Sequence, residues 1–186
     1  MSNRPYIYDA IFIDRDGTLN PDPGYISSLK DFQLYSFSLE ALKSLSTLSP
    51  HLCIITNQSG ISRGLIEKDE LDKIHSYLIG KIEQENMAIS GLYVCTDLPG
   101  TRSKRRKPQP GMFFEAEKDL SITLNQCLMI GDSVSDIEAG HGLNMDTMLV
   151  LTGRGQETLE KISDKCISFT VKNLYEGART LLNSKN

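Results

Sequence analysis

The chain has 186 residues, of which 39% are hydrophobic and 24% are charged, and its formal net charge is −4. This length is enough for one domain with a substantial core, so we predict a single domain over residues 1–186. The acidic balance argues against nucleic acid and anionic membrane surfaces as partners. No apolar run is long enough to span a membrane.

Cysteine usage points to a reducing compartment. The four cysteines are far apart in the sequence, and three of them lie in or beside apolar runs; the four are Cys53, Cys95, Cys127 and Cys166. This placement is typical of small buried hydrophobic side chains. Because residues 1–6 also lack the apolar segment of a signal peptide, we expect a cytoplasmic protein.

Strand-like and helix-like segments alternate along the chain, which predicts an α/β fold with one doubly wound parallel sheet and helices on both faces. The predicted strands are short apolar runs at Ala10–Asp14, His51–Thr56, Ser90–Cys95, Gln126–Gly131 and Asp146–Leu151. The predicted helices carry apolar residues at helical spacing and lie at Phe37–Leu48, Glu67–Glu85, Pro110–Leu120, Val134–Leu143 and Val171–Leu182. No long insertion separates the first strand from its helix, or the second strand from the third, so we expect no large cap domain.

The first predicted strand ends in two acids one residue apart, Asp14 and Asp16, and Gly17 follows them. A buried parallel strand delivers such side chains to the carboxyl edge of its sheet, where ligands bind in open α/β folds. An Asp-Gly turn after the strand would explain the same residues without any chemistry. The remaining strand ends therefore decide between the two interpretations.

Two later strands also end in polar residues. The segment Thr56–Gly60 can donate hydrogen bonds to an anion such as phosphate, although a plain polar loop has the same composition. Asp132 follows the fourth strand and could be only a helix N-cap, while Asp136 lies one helical turn later. Three convergent carboxylates repel one another unless a cation neutralises them, and Mg²⁺ is the usual cation beside a phosphate.

A basic run precedes the third predicted helix. Charge runs are usually solvated surface, and we interpret Arg102–Arg105 in that way. Lys107 differs because Pro108 and Pro110 stiffen the segment that follows it, and the helix begins directly afterwards. A cation held at that point could contact a phosphoryl oxygen.

Together these segments resemble the haloacid dehalogenase (HAD) superfamily of phosphotransferases. The four matching elements occur in the order of that superfamily and are Asp14–Leu19, Thr56, Lys107 and Gly131–Asp136. The wording of Thr56–Gly64 and Arg106–Met112 is similar to the D-glycero-D-manno-heptose 1,7-bisphosphate phosphatases. The related histidinol-phosphate phosphatases share the wording of Asp14–Leu19. The resemblance extends from Ile11 to Gly153.

The resemblance has one important gap. Heptose phosphatases of this type carry a zinc loop of cysteines and a histidine, and here Cys95 occupies its first ligand position. Asp97 stands in the place of the histidine, and Thr101–Arg105 contains no cysteine. One cysteine and one aspartate cannot form a tetrahedral thiolate site, so we expect no zinc. Ser133 also replaces a lysine that is frequent in the family. Both departures concern the substrate side of the site.

The resemblance implies a catalytic role for four side chains. Asp14 is the expected nucleophile that forms an aspartyl-phosphate, and Asp16 is the expected general acid and base. Thr56 and Lys107 are expected to bind phosphoryl oxygens. Mg²⁺ is expected to be held by Asp14, the main-chain carbonyl of Asp16, and Asp132.

The resemblance also implies the substrate contacts. Residues of two loops and of the second strand end are expected to contact the sugar or a second phosphate: Asp22, Gly24, Tyr25, Asn57, Gln58, Ser59 and Arg106. The expected partner is a small phosphorylated sugar, with no nucleic acid and no membrane, and the protein is expected to be a monomer.

Two other functions compete with a heptose bisphosphate phosphatase. One is a phosphatase for histidinol phosphate or another small phosphate ester, which shares the same catalytic residues. The other is an inactive member of the fold that only binds a ligand. That second possibility predicts the loss of a catalytic group, yet Asp14, Asp16, Thr56, Lys107 and Asp132 are all present.

Overall fold

A computed structural model describes residues 7–184 of the chain. Six strands form its sheet: β1 (Ala10–Ile13), β2 (His51–Asn57), β3 (Gly91–Cys95), β4 (Leu128–Gly131), β5 (Asp146–Val150) and β6 (Phe169–Val171). Every pair of neighbours is parallel, and the order is β3-β2-β1-β4-β5-β6. The predicted doubly wound sheet is confirmed. Residues 1–6, which entered the prediction of cellular location, lie outside the described residues.

Six α-helices connect and cover the strands: α1 (Ser38–Leu45), α2 (Lys68–Gln84), α3 (Gly111–Leu120), α4 (Val134–Gly142), α5 (Gly155–Lys161) and α6 (Leu174–Ser184). Short 3₁₀ helices occupy Leu29–Asp31, Leu124–Gln126 and Asp164–Cys166. None of the helices within residues 7–184 combines the length and the apolar character that crossing a membrane requires.

The strands are buried on both faces, which divides the core into two layers. Along β1, Ile11 and Ile13 pack against the face covered by α1, α2 and α6. Phe12, which points the other way, packs with α3 and meets the Phe113 ring edge-on at 5.1 Å. Alternating side chains of a parallel strand point to opposite faces, so an almost wholly apolar run can serve both layers.

The C-terminal part of the sequence prediction is wrong in two places. Val171 ends β6 instead of beginning a helix, and α6 begins at Leu174. The residue before this helix, Asn173, accepts the Glu176 amide through its carboxamide oxygen at 3.0 Å. The prediction also missed α5 entirely. The two elements that the sequence did not predict, β6 and α5, are short, with three and seven residues. Such lengths are too small to show a clear period in apolar residues.

The strand order positions the site. β1 pairs with β2 on one side and with β4 on the other, so the chain leaves β1 in one direction and later crosses back. In open α/β sheets this reversal opens a crevice at the carboxyl ends of the strands. The ends of β1, β2 and β4 therefore lie side by side, and their polar residues face a common space.

Candidate active site

A pocket of about 360 Å³ opens at this edge of the sheet. All the residues that the sequence predicted as catalytic, substrate-binding or metal-binding line it: Asp14, Asp16, Asp22, Gly24, Tyr25, Thr56, Asn57, Gln58, Ser59, Arg106, Lys107 and Asp132. The topology thus brings residues from four separate parts of the chain around one cavity.

Asp14 follows the last residue of β1 and lies at the base of the pocket, with 8% of the residue exposed. Its amide donates to the Ile130 carbonyl of β4 at 2.9 Å, which ties the residue to the neighbouring strand. Burial raises the pKa of the Asp14 carboxyl well above its usual range, and the Lys107 ammonium opposes this effect. The carboxylates of Asp136 and Asp132 raise the same pKa further.

Lys107 supplies the buried cation of the site. Its Nζ lies 2.7 Å from Asp14 Oδ1, 2.6 Å from Asp136 Oδ1 and 2.7 Å from the Ile55 carbonyl. Burial alone would lower the pKa of this ammonium, but the two carboxylates raise it, so the side chain stays charged. Two hydrogen bonds, to Asp14 and to the Ile55 carbonyl, and the ion pair with Asp136 hold the ammonium in one place.

The Asn57 side chain holds the main chain of Lys107. The Asn57 amide nitrogen donates to the Lys107 carbonyl, and the Lys107 amide donates to Asn57 Oδ1, both at 3.1 Å. Asn57 was predicted as a substrate contact. Both polar atoms of its side chain bind the main chain of Lys107. From the end of β2, Asn57 therefore helps to hold the lysine in the site.

Asp132 and Asp136 flank the exit of β4. Asp132 Oδ2 accepts the Arg154 amide at 2.7 Å, and burial followed by the Asp136 charge raises the pKa of Asp132 to about 7. Asp136 accepts the amide and hydroxyl of Ser133 at 3.0 and 2.7 Å, which caps α4. The remaining oxygen of Asp136 faces Lys107.

Gly17 allows the main chain to approach Asp132. Its φ is +85°, and a Cβ at this position would lie 2.1 Å from Asp132 Oδ2. Only glycine combines this left-handed backbone with so close an approach. The Asp-x-Asp-Gly turn is therefore packed directly against the carboxylate that follows β4.

The carboxylates form a cluster that suits a divalent cation. One oxygen from each of Asp14, Asp132 and Asp136 lies within 4.8 Å of the others. Three carboxylates against one lysine leave an excess of buried negative charge, and oxygen-only donors suit hard cations such as Mg²⁺. Asp14 and Asp132 line the pocket, whereas Asp136 is fully buried behind them and bound to Lys107. The donor set therefore fits the predicted metal, with Asp136 as a supporting charge that the sequence left without a role.

The Asp16 side chain turns away from this cluster. Arg15 donates to both of its carboxylate oxygens, at 3.0 and 2.8 Å. Asn20 and Gln58 donate to the same carboxylate at 2.9 and 2.6 Å. Burial would raise the pKa of Asp16, but the Arg15 charge and these hydrogen bonds lower it overall. The carboxyl group is consequently ionised in this arrangement.

Gln58 also reaches the threonine at the end of β2. Its Nε2 donates to Thr56 Oγ1 at 2.8 Å as well as to Asp16, and the residue is only 4% exposed. Gln58 was predicted to contact the substrate, and it lines the pocket while its amide nitrogen donates to two predicted catalytic side chains. Ser59, the next residue, lines the pocket.

Two loops build the outer wall of the pocket. The Asp22 carboxylate accepts the Gly24 amide at 2.9 Å and pairs with the Arg154 guanidinium at 3.1 Å. Tyr25 is 44% exposed at the mouth. Arg106, from the loop before α3, donates to the Asp97 carbonyl at 3.0 Å and lies in the field of Arg63.

Two arginines of the pocket were not predicted as site residues. Arg63 follows the glycine turn after β2, and Arg154 follows Gly153 after β5. Arg63 belongs to the Thr56–Gly64 wording that carries the resemblance, so a signal for it was present. The sequence held no signal for Arg154, because no neighbouring residue indicates that the loop after β5 contacts Asp132.

Comparisons with known proteins agree with this geometry. The HAD-hydrolase-like family model matches residues 104–177. A D-glycero-beta-D-manno-heptose-1,7-bisphosphate 7-phosphatase of Pasteurella multocida is 39% identical over 152 residues, which cover 78% of this chain and 83% of that protein. The enzyme of the same name from Helicobacter pylori strain J99 is 38% identical over 144 residues, which cover 77% and 83%.

A solved structure extends the similarity to nearly the whole fold. The D,D-heptose 1,7-bisphosphate phosphatase from B. bronchiseptica, complexed with magnesium and phosphate, superposes with a TM-score of 0.87 and 27% sequence identity. The match covers 95% of this chain and 99% of that chain. Because relatives that are 38–39% identical match over 83% of their own length, the chain belongs to the heptose-1,7-bisphosphate 7-phosphatase family of the HAD-like hydrolases.

Proposed function

We propose that this protein is a magnesium-dependent phosphatase that hydrolyses the C7 phosphate of D-glycero-D-manno-heptose 1,7-bisphosphate. The observation that carries the proposal is the Asp14 carboxylate at the end of β1, bound to Lys107 and facing the same pocket as Asp132. The relatives at 34–39% identity carry the name of this activity.

Asp14 serves as the nucleophile. One of its carboxylate oxygens attacks the phosphorus of the C7 phosphate, a bond forms between them, and the bond from phosphorus to the C7 oxygen breaks. The C7 oxygen leaves with the electron pair of that bond and takes a proton from the protonated form of Asp16, which yields the alcohol. Because the Arg15 charge and the hydrogen bonds to Asp16 lower its pKa, this form is the minor one in the unliganded site, and the step draws on that fraction. Lys107 keeps Asp14 oriented and balances the charge of the incoming phosphate.

Water completes the turnover. A water oxygen attacks the phosphorus of the aspartyl-phosphate while the Asp16 carboxylate accepts one of its protons. The bond to Asp14 breaks, inorganic phosphate leaves, and Asp16 is again protonated for the next cycle. Asp16 lines the pocket with 21% of its side chain exposed, so it can reach both the leaving oxygen and this water.

Asp14, Asp132 and the main-chain carbonyl of Asp16 would hold the Mg²⁺ ion. When bound, it supplies the positive charge that allows a phosphate dianion to approach these carboxylates. The excess of carboxylates over cations in the cluster supports this part of the proposal. The Thr56 hydroxyl, which accepts from Gln58, has its own proton to donate to a phosphoryl oxygen.

Arg106 and Arg63 bind the second phosphate. Both guanidinium groups line the pocket, and the Arg63 charge is close enough to lower the pKa of Arg106, together with burial as the larger cause. Two neighbouring cations at the mouth of the pocket attract an anion. A substrate with phosphates at both ends can then place one over Asp14 and the other at the mouth.

Phosphate release from a panel of substrates tests the proposal. Both anomers of heptose 1,7-bisphosphate, fructose 1,6-bisphosphate and histidinol phosphate are compared at equal concentration, with Mg²⁺ and with EDTA. We expect the highest kcat/KM for a heptose bisphosphate, with the 1-phosphate as product and no turnover in EDTA. A preference for histidinol phosphate, or equal rates for all substrates, would contradict the heptose assignment.

Metal binding is measured separately by thermal unfolding. Mg²⁺ should raise the Tm of the wild-type protein because it binds the folded carboxylate cluster and not the unfolded chain. Asp132→Asn should lose most of this increase, while Asp119→Asn, on α3 and away from the cluster, should keep it. An equal Mg²⁺ effect in both variants would place the metal elsewhere.

A further inference from the structure

Arg15 is a charged side chain inside the core. It lies between Asp14 and Asp16, yet none of its surface is exposed. Its Nε and Nη2 donate to the two oxygens of Asp16, and the Phe32 ring covers the guanidinium at 5.8 Å. A buried guanidinium requires acceptors for its N–H groups, since an unsatisfied buried donor is costly.

His75 provides the third acceptor. It lies on α2, is 8% exposed, and its Nε2 is 2.9 Å from Arg15 Nη1. Arginine only donates, so Nε2 must be the unprotonated nitrogen and the proton of the neutral ring is on Nδ1. Burial, followed by the Arg15 charge, lowers the pKa of His75 to about 4, which keeps the ring neutral and able to accept.

These contacts form a chain from α2 to the pocket: His75 to Arg15, and Arg15 to Asp16. The guanidinium is planar, so an acceptor on Nη1 fixes the direction in which Nε and Nη2 point. That direction decides where the two oxygens of Asp16 lie. The chain does not touch the carboxylate cluster of Asp14, Asp132 and Asp136, and the catalytic steps described above do not use His75.

We propose that His75 is a positioning residue that sets the location of the Asp16 carboxyl through Arg15. The inference rests on the proposed phosphatase activity, in which Asp16 donates a proton to the leaving oxygen. Loss of the His75 acceptor frees the guanidinium, and Asp16 then meets the leaving oxygen less often. The defect should therefore depend on how much the leaving group needs a proton.

Two substrates separate this effect from general damage. A sugar alkoxide is a poor leaving group that needs protonation, whereas nitrophenolate departs without it. In His75→Leu we expect kcat for the sugar phosphate to fall by at least about tenfold, since a general acid contributes about 100-fold or more. The nitrophenolate burst, which reports only the first half of the reaction, should change by less than about threefold, and KM for the sugar phosphate should stay close to that of the wild type.

A conservative variant supplies the matched comparison. Glutamine offers an oxygen acceptor on a flexible chain, so His75→Gln should recover most of the activity that His75→Leu loses on the sugar phosphate. Ile82→Val, two turns further along α2, controls for loss of packing in the same helix. It should leave the ratio of the two activities unchanged.

The outcomes separate clearly. An equal fall in the burst and in sugar phosphate turnover, or no recovery in His75→Gln, would overturn the proposal and leave His75 as a packing residue. If His75→Leu does not fold, Phe32→Leu loosens Arg15 from its other side, and the same selective loss is expected there; a uniform loss would again overturn the proposal. A wild-type protein that is inactive on heptose bisphosphate contradicts the proposed function alone, and the same ratio is then measured with whichever alkyl phosphate it hydrolyses.

Discussion

At the scale of single residues, the site places one buried lysine among three buried carboxylates. Lys107 contacts Asp14 and Asp136 directly, and Asp132 lies close enough to raise the pKa of Asp14. The arrangement leaves a deficit of positive charge at the position where a phosphate must arrive. Under the proposed function, a metal ion and the cations of the pocket together offset that deficit, so we expect metal binding and substrate binding to strengthen each other.

The nucleophile can be tested by removing its charge alone. Asp14→Asn keeps the shape of the side chain and an oxygen that can accept from Lys107, but its amide does not attack phosphorus. We expect kcat to fall by about a thousandfold or more. Because the variant buries one carboxylate fewer, its Tm, measured by circular dichroism, should equal that of the wild type or exceed it. Turnover near the wild-type rate in a folded variant would refute the covalent mechanism.

At the scale of elements, the loop before α3 is held together by one serine. The Ser103 hydroxyl donates to the Asp97 carboxylate at 2.5 Å and accepts the amides of Arg105 and Arg106 at 3.2 and 3.0 Å. Cys95 Sγ lies 3.8 Å from the same hydroxyl. The loop thus has an internal hydrogen-bonded centre beside the cysteine at the end of β3, and the expectation of a zinc-free loop stays a prediction.

The two neighbouring arginines of this loop, Arg105 and Arg106, point in different directions. Arg105 points outward, where it binds the Glu115 carboxylate of α3 through two N–H groups and the Val94 carbonyl through a third. Arg106 points into the pocket and donates to the Asp97 carbonyl. Because one serine binds both of their amides, we infer that Ser103 helps to hold the Arg106 guanidinium toward the pocket.

Removal of the Ser103 hydroxyl should alter substrate discrimination. In Ser103→Ala, Arg106 loses its fixed direction, and we expect KM for the bisphosphate to rise by roughly tenfold, the cost of one hydrogen bond to a charged group. Turnover of nitrophenyl phosphate, which has no second phosphate, should stay unchanged. Ser103→Thr keeps the hydroxyl and should behave as the wild type. Equal losses on both substrates would show that the loop supports the fold and not Arg106.

At the scale of the whole molecule, α2 links the surface of the domain to the loop after β1. His75 faces Arg15 and Asp16 from that loop and Asp72 from its own helix. Its pKa in the folded protein is about 4, below the ordinary value of 6.5. Between these two pH values the unfolded chain binds a proton that the folded protein does not, so acidification favours unfolding.

This difference predicts the acid side of the stability curve. As pH falls from 6.5 to 4, His75 should remove on the order of 3 kcal/mol from the free energy of unfolding, and it should have no effect above pH 6.5. Asp14 and Asp132 have raised pKa values and act in the opposite direction, so the measurement compares wild type with His75→Gln. Urea unfolding at several pH values should give a flatter acid limb for the variant. Parallel limbs would exclude a buried neutral histidine.

Local sequence determined the scaffold of this protein and pointed to its candidate catalytic groups. The apolar run that ends in Asp14 and Asp16 predicts a buried strand with acids at its carboxyl edge, and the run before Asp132 predicts β4 in the same way. These features depend on neighbouring residues, which the sequence displays directly. The short β6 and α5 lacked that local signal and were missed.

Only the tertiary structure decided which polar groups pair with one another. His75 meets Arg15 across 60 residues of chain, and Lys107, in the loop before α3, meets Asp136 of α4. Asn57 and Gln58 have the same polar character whether they face a sugar or the protein, and the fold turns their amides toward Lys107, Asp16 and Thr56. Hydrogen bonds and pKa shifts depend on distance and burial in space, and a linear sequence does not contain those quantities until the chain has folded.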